Sequence, residues 1–239
     1  MYTFDSRVRY SETDLNGDLK IEALMNYFQD CSTFQSEDLG VGIGYLQENH
    51  VAWMVIYWQI DILRLPRLGE RIRIGTSPYS IKGIIGLRNF MMETAEGERL
   101  VNVNSVWSLI DMEKQLPVRV FPSMVEKYEL FPKFDMEYTS RKIAVPETDG
   151  RALPPVEVTE EMLDSNRHVN NAQYVRLAQA QLSEHQKITR MRVEYLKQAH
   201  LGDGIFPVVY GEETVTVVLN AQDGSPYCIV QMEAGGGTA

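Results

Sequence analysis

Cysteine is nearly absent from this chain, with two thiols, Cys31 and Cys228, in 239 residues. No Cys-x-x-Cys pair and no Cys/His cluster occurs, which excludes a disulfide framework and a zinc site of the usual spacing. Cys31 falls on the apolar face of a helical pattern, where a thiol packs as a small hydrophobe. Long apolar runs are missing as well. The longest stretch, residues 51–60, is broken by Gln59 and stopped by Asp61, short of the roughly 20 residues that a membrane span requires. The opening Met1-Tyr2-Thr3-Phe4-Asp5 has no basic segment followed by an apolar one, so no signal peptide is visible and a cytoplasmic location is expected. Positive charge is in deficit. Lys and Arg number 23 against 33 Asp and Glu, and the net charge of −10 argues against broad nucleic-acid binding.

What is present reads as ordinary globular protein, 44% apolar and 23% charged. The length suits two domains of about 100–150 residues. A comparison of the chain with itself locates them. Asp14-Leu15-Asn16-Gly17-Asp18-Leu19 precedes one helical pattern, and Asp164-Ser165-Asn166-Arg167-His168-Val169 precedes another, 150 residues later. Leu24, Tyr27, Phe28 and Cys31 form the apolar stripe of the first helix, and Tyr174, Leu177, Ala178 and Leu182 that of the second. The likeness resumes at Gln59 to Glu70 and at Arg192 to Asp203, now at an offset of 133, so the first copy holds 17 more residues, expected around 39–49.

Each helix is followed by alternating apolar and polar residues, at 71–81, 87–94 and 99–111 in the first copy and 207–220 and 226–232 in the second. A strand, a turn, one long helix and a meander of strands is the hotdog order. The expected fold is therefore α+β, tandem hotdog repeats, each a curled antiparallel sheet around one long helix, packed as an intrachain pseudo-dimer. Residues 1–120 form the first domain and 153–239 the second. Between them 121–152 reads as a linker, with a short helix near 122–128 and Pro122, Pro132 and Pro146 along it.

Chemistry concentrates in Asp164-x-Asn166-x-His168-Val169-Asn170-Asn171. Any one of these residues serves as a turn former or cap, but a cap needs one such residue rather than five. The start of a helix adds unpaired N–H groups and a partial positive charge, suited to a carbonyl oxygen becoming negative.

This motif, in the second of two hotdog repeats, resembles the signature of the acyl-acyl-carrier-protein (acyl-ACP) thioesterases of bacteria and plants. The resemblance runs from about Phe4 to Met232, with the linker matching least well. It implies hydrolysis of acyl-ACP to free fatty acid and ACP, with Asp164, Asn166 and His168 at the catalytic positions. The first copy has Asp18 where His168 stands, and Lys20-Ile21 for Asn170-Asn171. It is expected to be catalytically silent and to house the acyl chain, with its helix and residues 51–62 as wall. The plant members place an acidic residue and a cysteine where this chain has Gln198 and Ala199, so the Asp/Asn/His group must carry the chemistry. We expect Asp164 or His168 to act as general base on a water that Asn166 orients, with N–H groups of Val169, Asn170 and Asn171 holding the oxyanion. His200 lies near the same strand end and reads as a solvated loop histidine.

No metal or cofactor is implied. The expected partner is an acidic acyl carrier protein, so a local basic patch is needed; Arg64, Arg67, Arg176, Arg192 and Lys197 are its candidates. Exposed sheet edges leave a homodimer open. The competing readings are an acyl-CoA thioesterase, a hotdog dehydratase or hydratase, and a non-catalytic acyl-binding protein. The dehydratases that pair Asp and His use an Asp-x-Asn-Pro-x-His spacing, which Asp164 and His168 do not match.

Overall fold

A computed structural model describes residues 1–164, 167–182 and 187–235. The chain forms two compact units, Met1–Thr139 and Ser140–Ala239. The first contains β1 (Tyr2–Arg7), α1 (Ile21–Asp38), α2 (Ile43–Glu48), β2 (Val51–Ile62), β3 (Arg71–Lys82), β4 (Ile85–Thr94), β5 (Arg99–Asp111), β6 (Leu116–Pro117) and α3 (Pro122–Val125). Its strands pair antiparallel in the order β1-β3-β4-β5-β2, with β6 beside β5. The second unit contains β7 (Arg151–Ala152), β8 (Val156–Glu157), α4 (Asn171–Gln179), β9 (Ile188–Tyr195), β10 (Gly204–Tyr210), β11 (Thr214–Asn220) and β12 (Pro226–Ala234). Its order is β7-β10-β11-β12-β9, with β8 also on β10. Strand for strand this is the topology of the first unit, so the duplication read from the sequence extends to the sheets. Each unit is a hotdog, and the fold class is α+β.

The stripe on α1 forms because Leu24, Tyr27, Phe28, Cys31 and Gln35 recur at helical spacing and are all buried. Phe28 meets Phe90 of β4 at 5.5 Å between ring centroids, and Phe90 meets Trp58 of β2 at 5.2 Å. Burying side chains of this size stabilises by about 1.5–3 kcal/mol each. Arg88 lies on the same face of β4 as Phe90. Its guanidinium donates to Gln35 Oε1 at 2.6 Å and to Thr76 Oγ1 at 3.1 Å, and loss of water lowers its pKa.

Three sequence expectations change. Residues 121–139 pack as part of the first unit, because buried polar groups on the sheet face away from α1 hold them there. Gln59 donates to the Glu137 carbonyl at 2.7 Å and accepts from Thr139 N–H at 3.0 Å, while Asn89 Oδ1 accepts from Phe134 N–H at 3.2 Å and Tyr138 O–H at 3.0 Å. The short helix expected near 122–128 is α3, opened by Pro122, where the missing N–H costs nothing.

Second, the run 207–220 is two strands. The chain reverses at Gly211, whose φ of 76° favours glycine. A Cβ there would clash with the Thr214 carbonyl oxygen. Third, α4 has 9 residues against 18 in α1, so part of the first copy's extra length lies in the helix itself and part in α2. Leu182 falls beyond α4, and Val175 is buried in its place.

Because Phe90 sits at the centre of the aromatic contacts, Phe90→Ala should lower the stability of the first unit by about 3–5 kcal/mol. A urea titration of the variant beside the parent measures this, and an unshifted midpoint would place the core elsewhere.

Candidate active site

In the second unit a turn of 3-10 helix at Glu160–Met162 leads into a tight hairpin loop. Leu163 bridges to Val169 across it. Asp164 N–H donates to the His168 carbonyl at 2.8 Å, and Asp164 Oδ1 accepts from His168 N–H at 3.2 Å. Arg167 takes the left-handed conformation at φ 63° to complete the reversal. In the first unit Asp14 Oδ1 likewise accepts from Asn16 N–H at 2.9 Å and Asp18 N–H at 3.0 Å, and Gly17 at φ 78° occupies the place of Arg167. One carboxylate oxygen in each unit is thus engaged in holding the loop. Asn166 lies outside the described residues.

The loop delivers His168 to the start of α4. Its imidazole is half-buried, and desolvation holds its pKa below the ordinary 6.5. Nearby His200 pushes in the same direction, and Asp164 opposes both. The His168 and His200 rings lie 5.0 Å apart at 76°. His200 therefore stands beside His168 near the strand end, with its side chain 60% exposed as expected of a loop histidine. Only the parallel between the two copies, which sets His200 opposite Arg67, could have drawn attention to it.

Of the three N–H groups expected to face an oxyanion, two are already used. Val169 N–H donates to the Ala199 carbonyl at 3.0 Å, and Asn170 N–H to the Met162 carbonyl at 2.9 Å. Asn170 is instead the N-cap of α4, its Oδ1 accepting from Ala172 N–H at 2.9 Å. Among the described residues only the Asn171 N–H of the three meets no acceptor, at the positive end of the helix. Gln198 and Ala199 follow β9, and Ala199 is buried with its N–H on Tyr174 Oη at 3.0 Å.

Four of the five candidate docking cations are engaged. Arg64 pairs with Glu70 at 2.7 Å and Glu98 at 2.9 Å, Arg67 with Asp18 at 3.3 Å, and Lys197 with Asp223 at 3.6 Å. Arg192 donates to Gln231 Oε1 at 2.7 Å and the Ser140 carbonyl at 2.6 Å. Arg176, exposed in the last turn of α4, has no acidic partner among the described residues. No cluster of three or more potential metal ligands occurs among the described residues, and no helix there is long and apolar enough to cross a membrane.

Comparison with known proteins now bears on this geometry. The acyl-ACP thioesterase N-terminal domain matches residues 1–128, and the C-terminal domain of the same family matches 153–224. The chain belongs to the acyl-ACP thioesterase family. It is 26% identical over 243 residues to a chloroplastic acyl-[acyl-carrier-protein] hydrolase of Cuphea viscosissima, covering 91% of this chain. The chain spans about half the length of the curated relatives it matches, 54% for that plant hydrolase. An acyl-ACP thioesterase from Bacteroides thetaiotaomicron has the same fold, with a TM-score of 0.89 at 21% identity over 98% of this chain and 97% of its own. A 12:0-ACP thioesterase from Umbellularia californica likewise has a TM-score of 0.81 at 17% identity over 98% and 97%. In this member of the acyl-ACP thioesterase family both thiols are buried. Burial pushes Cys31 up to about 12, and Cys228 well above its ordinary value.

Both thiols should therefore be inert to an aromatic disulfide reagent in the folded protein and titrate fully after unfolding in guanidinium. A rapidly reacting native thiol, with loss of activity, would return cysteine to the mechanism.

Proposed function

We propose that this chain hydrolyses acyl-ACP thioesters to free fatty acid and ACP, ending chain elongation. The observation that carries the reading is a half-buried His168 three residues ahead of an Asn171 N–H that meets no acceptor among the described residues, in a chain of this family. Residues 153–239 form the catalytic domain and 1–120 the domain that receives the acyl chain. The aromatic interior under α1, with Phe28, Trp58 and Phe90, supports that second role.

His168 is the base. Its lowered pKa leaves the imidazole free to take a proton from water at neutral pH. The water oxygen then attacks the thioester carbonyl, whose oxygen gains charge against the Asn171 N–H and the helix dipole. Collapse releases the thiolate, which takes the proton back. Asn166 orients the water. Asp164 contributes by shaping the loop, since Asp14 does the same work in a copy that has Asp18 in place of the histidine.

A positioned base contributes about 10²–10⁴-fold, so His168→Ala should lower kcat by that factor. Asp164→Asn keeps an acceptor oxygen for the loop and should retain activity to within about tenfold. Equal collapse of both variants, each folded, would make Asp164 the base instead.

The direct test is free-thiol release from matched acyl-ACP and acyl-CoA. Preference for acyl-ACP supports the reading, preference for acyl-CoA moves the chain to a CoA thioesterase role, and hydration of an enoyl thioester or no release at all refutes it. Arg176 is the cation we assign to the carrier. Arg176→Glu should raise KM for acyl-ACP and leave a small thioester unaffected; equal loss on both substrates would remove Arg176 from docking.

A further inference from the structure

The two units place corresponding residues around the loop, but the residues differ in kind. In the first unit Asp18 forms a β-bridge with Arg67, and their side chains pair at 3.3 Å. Arg67 N–H donates to Glu70 Oε2 at 2.9 Å. In the second unit the same places hold His168, His200 and Asp203, and His200 N–H donates to Asp203 Oδ2 at 2.9 Å. The ion pair has become a pair of imidazoles, 5.0 Å apart and edge to face.

The backbone beside His200 is clamped. Ala199 N–H donates to Tyr174 Oη at 3.0 Å, and the Ala199 carbonyl accepts from Val169 N–H at 3.0 Å. Asp203 is held in turn, its Oδ2 accepting from Tyr227 O–H at 3.2 Å and lying 3.7 Å from His200 Nδ1. His200 is therefore fixed at its backbone while its side chain stays 60% exposed.

We propose that His200, held by Asp203, is a positioning residue for His168, taking in the second unit the place that Arg67 has in the first. This rests on His168 being the base of the proposed hydrolysis. The ring contact limits how the His168 imidazole can turn. The charges act too. Two imidazoles this close resist holding two protons, so a charge on His200 disfavours one on His168. His168 is left as the free base. The groups facing the pair are Asp164 from the loop, Tyr174 from α4, Asp203 after β9 and Tyr227 from β12; of these Asp164 acts against the effect on His168.

The chain has four histidines, so their ring resonances can be followed individually by NMR, with His168→Ala and His200→Ala as assignments. We expect His168 to titrate at higher pH than in the parent once His200→Ala or Asp203→Asn is made. The acid limb of kcat/KM for acyl-ACP should move with it, so that His200→Ala loses roughly threefold or more at pH 6 relative to pH 8. A folded His200→Ala whose His168 titration and acid limb overlay the parent overturns the proposal. A parent that hydrolyses no acyl thioester, but shows the NMR shift, removes the proposed function and leaves the histidine pair standing.

Discussion

Everything that positions the site depends on a carboxylate that closes a short loop ahead of a helix. Asp164 Oδ1 accepts from His168 N–H, as Asp14 Oδ1 accepts from Asp18 N–H. The bond reverses the chain within five residues and sets the bridge between the residues flanking the loop, Leu163 with Val169 and Thr13 with Leu19. That bridge sends the chain into α4 or α1 at a defined point. The N–H groups of Val169 and Asn170 are taken by the Ala199 and Met162 carbonyls, so of the three only that of Asn171 meets no acceptor among the described residues. One turn-forming acid thereby fixes where His168 stands and where α4 begins.

The same backbone performs two tasks in two copies. Val169 N–H to the Ala199 carbonyl has its counterpart in Leu19 N–H to the Pro66 carbonyl, and Asn170 N–H to Met162 in Lys20 N–H to Glu12. With the hydrogen bonds held constant, the difference between the copies is chemical. The first keeps an 18-residue helix over an aromatic interior, and the second has a 9-residue helix with its start capped by Asn170. The two copies differ in two parts of this design, the length of the buried helix face and the residues of its first turn.

Much of this was legible in the sequence because it is local. Helical spacing identified the stripe on α1, and the repeated Asp-x-Asn motif identified the duplication and the loop. What escaped is non-local. Nothing in the sequence around Gln59 and Asn89 shows that residues 134–139 will cover them. Arg64 read as a free cation because Glu98, its partner, lies on the far side of a hairpin. The reversal at Gly211 was hidden because the glycine lacks the usual Asn or Asp companion. His200 fell short for the same reason: a single imidazole means little until the fold sets it against another.

The change from ion pair to imidazole pair is a small one for the fold. Arg67 is 78% exposed where it meets Asp18, and an ion pair so open to water is worth roughly 0–1 kcal/mol. Replacing it removes little stability, while the backbone bond to the acid that follows, Glu70 or Asp203, is retained in both copies. The loop therefore does not rely on the residues at 18 and 67, or 168 and 200, to keep its shape. Those positions are free to differ in kind, and in the second unit they hold two imidazoles.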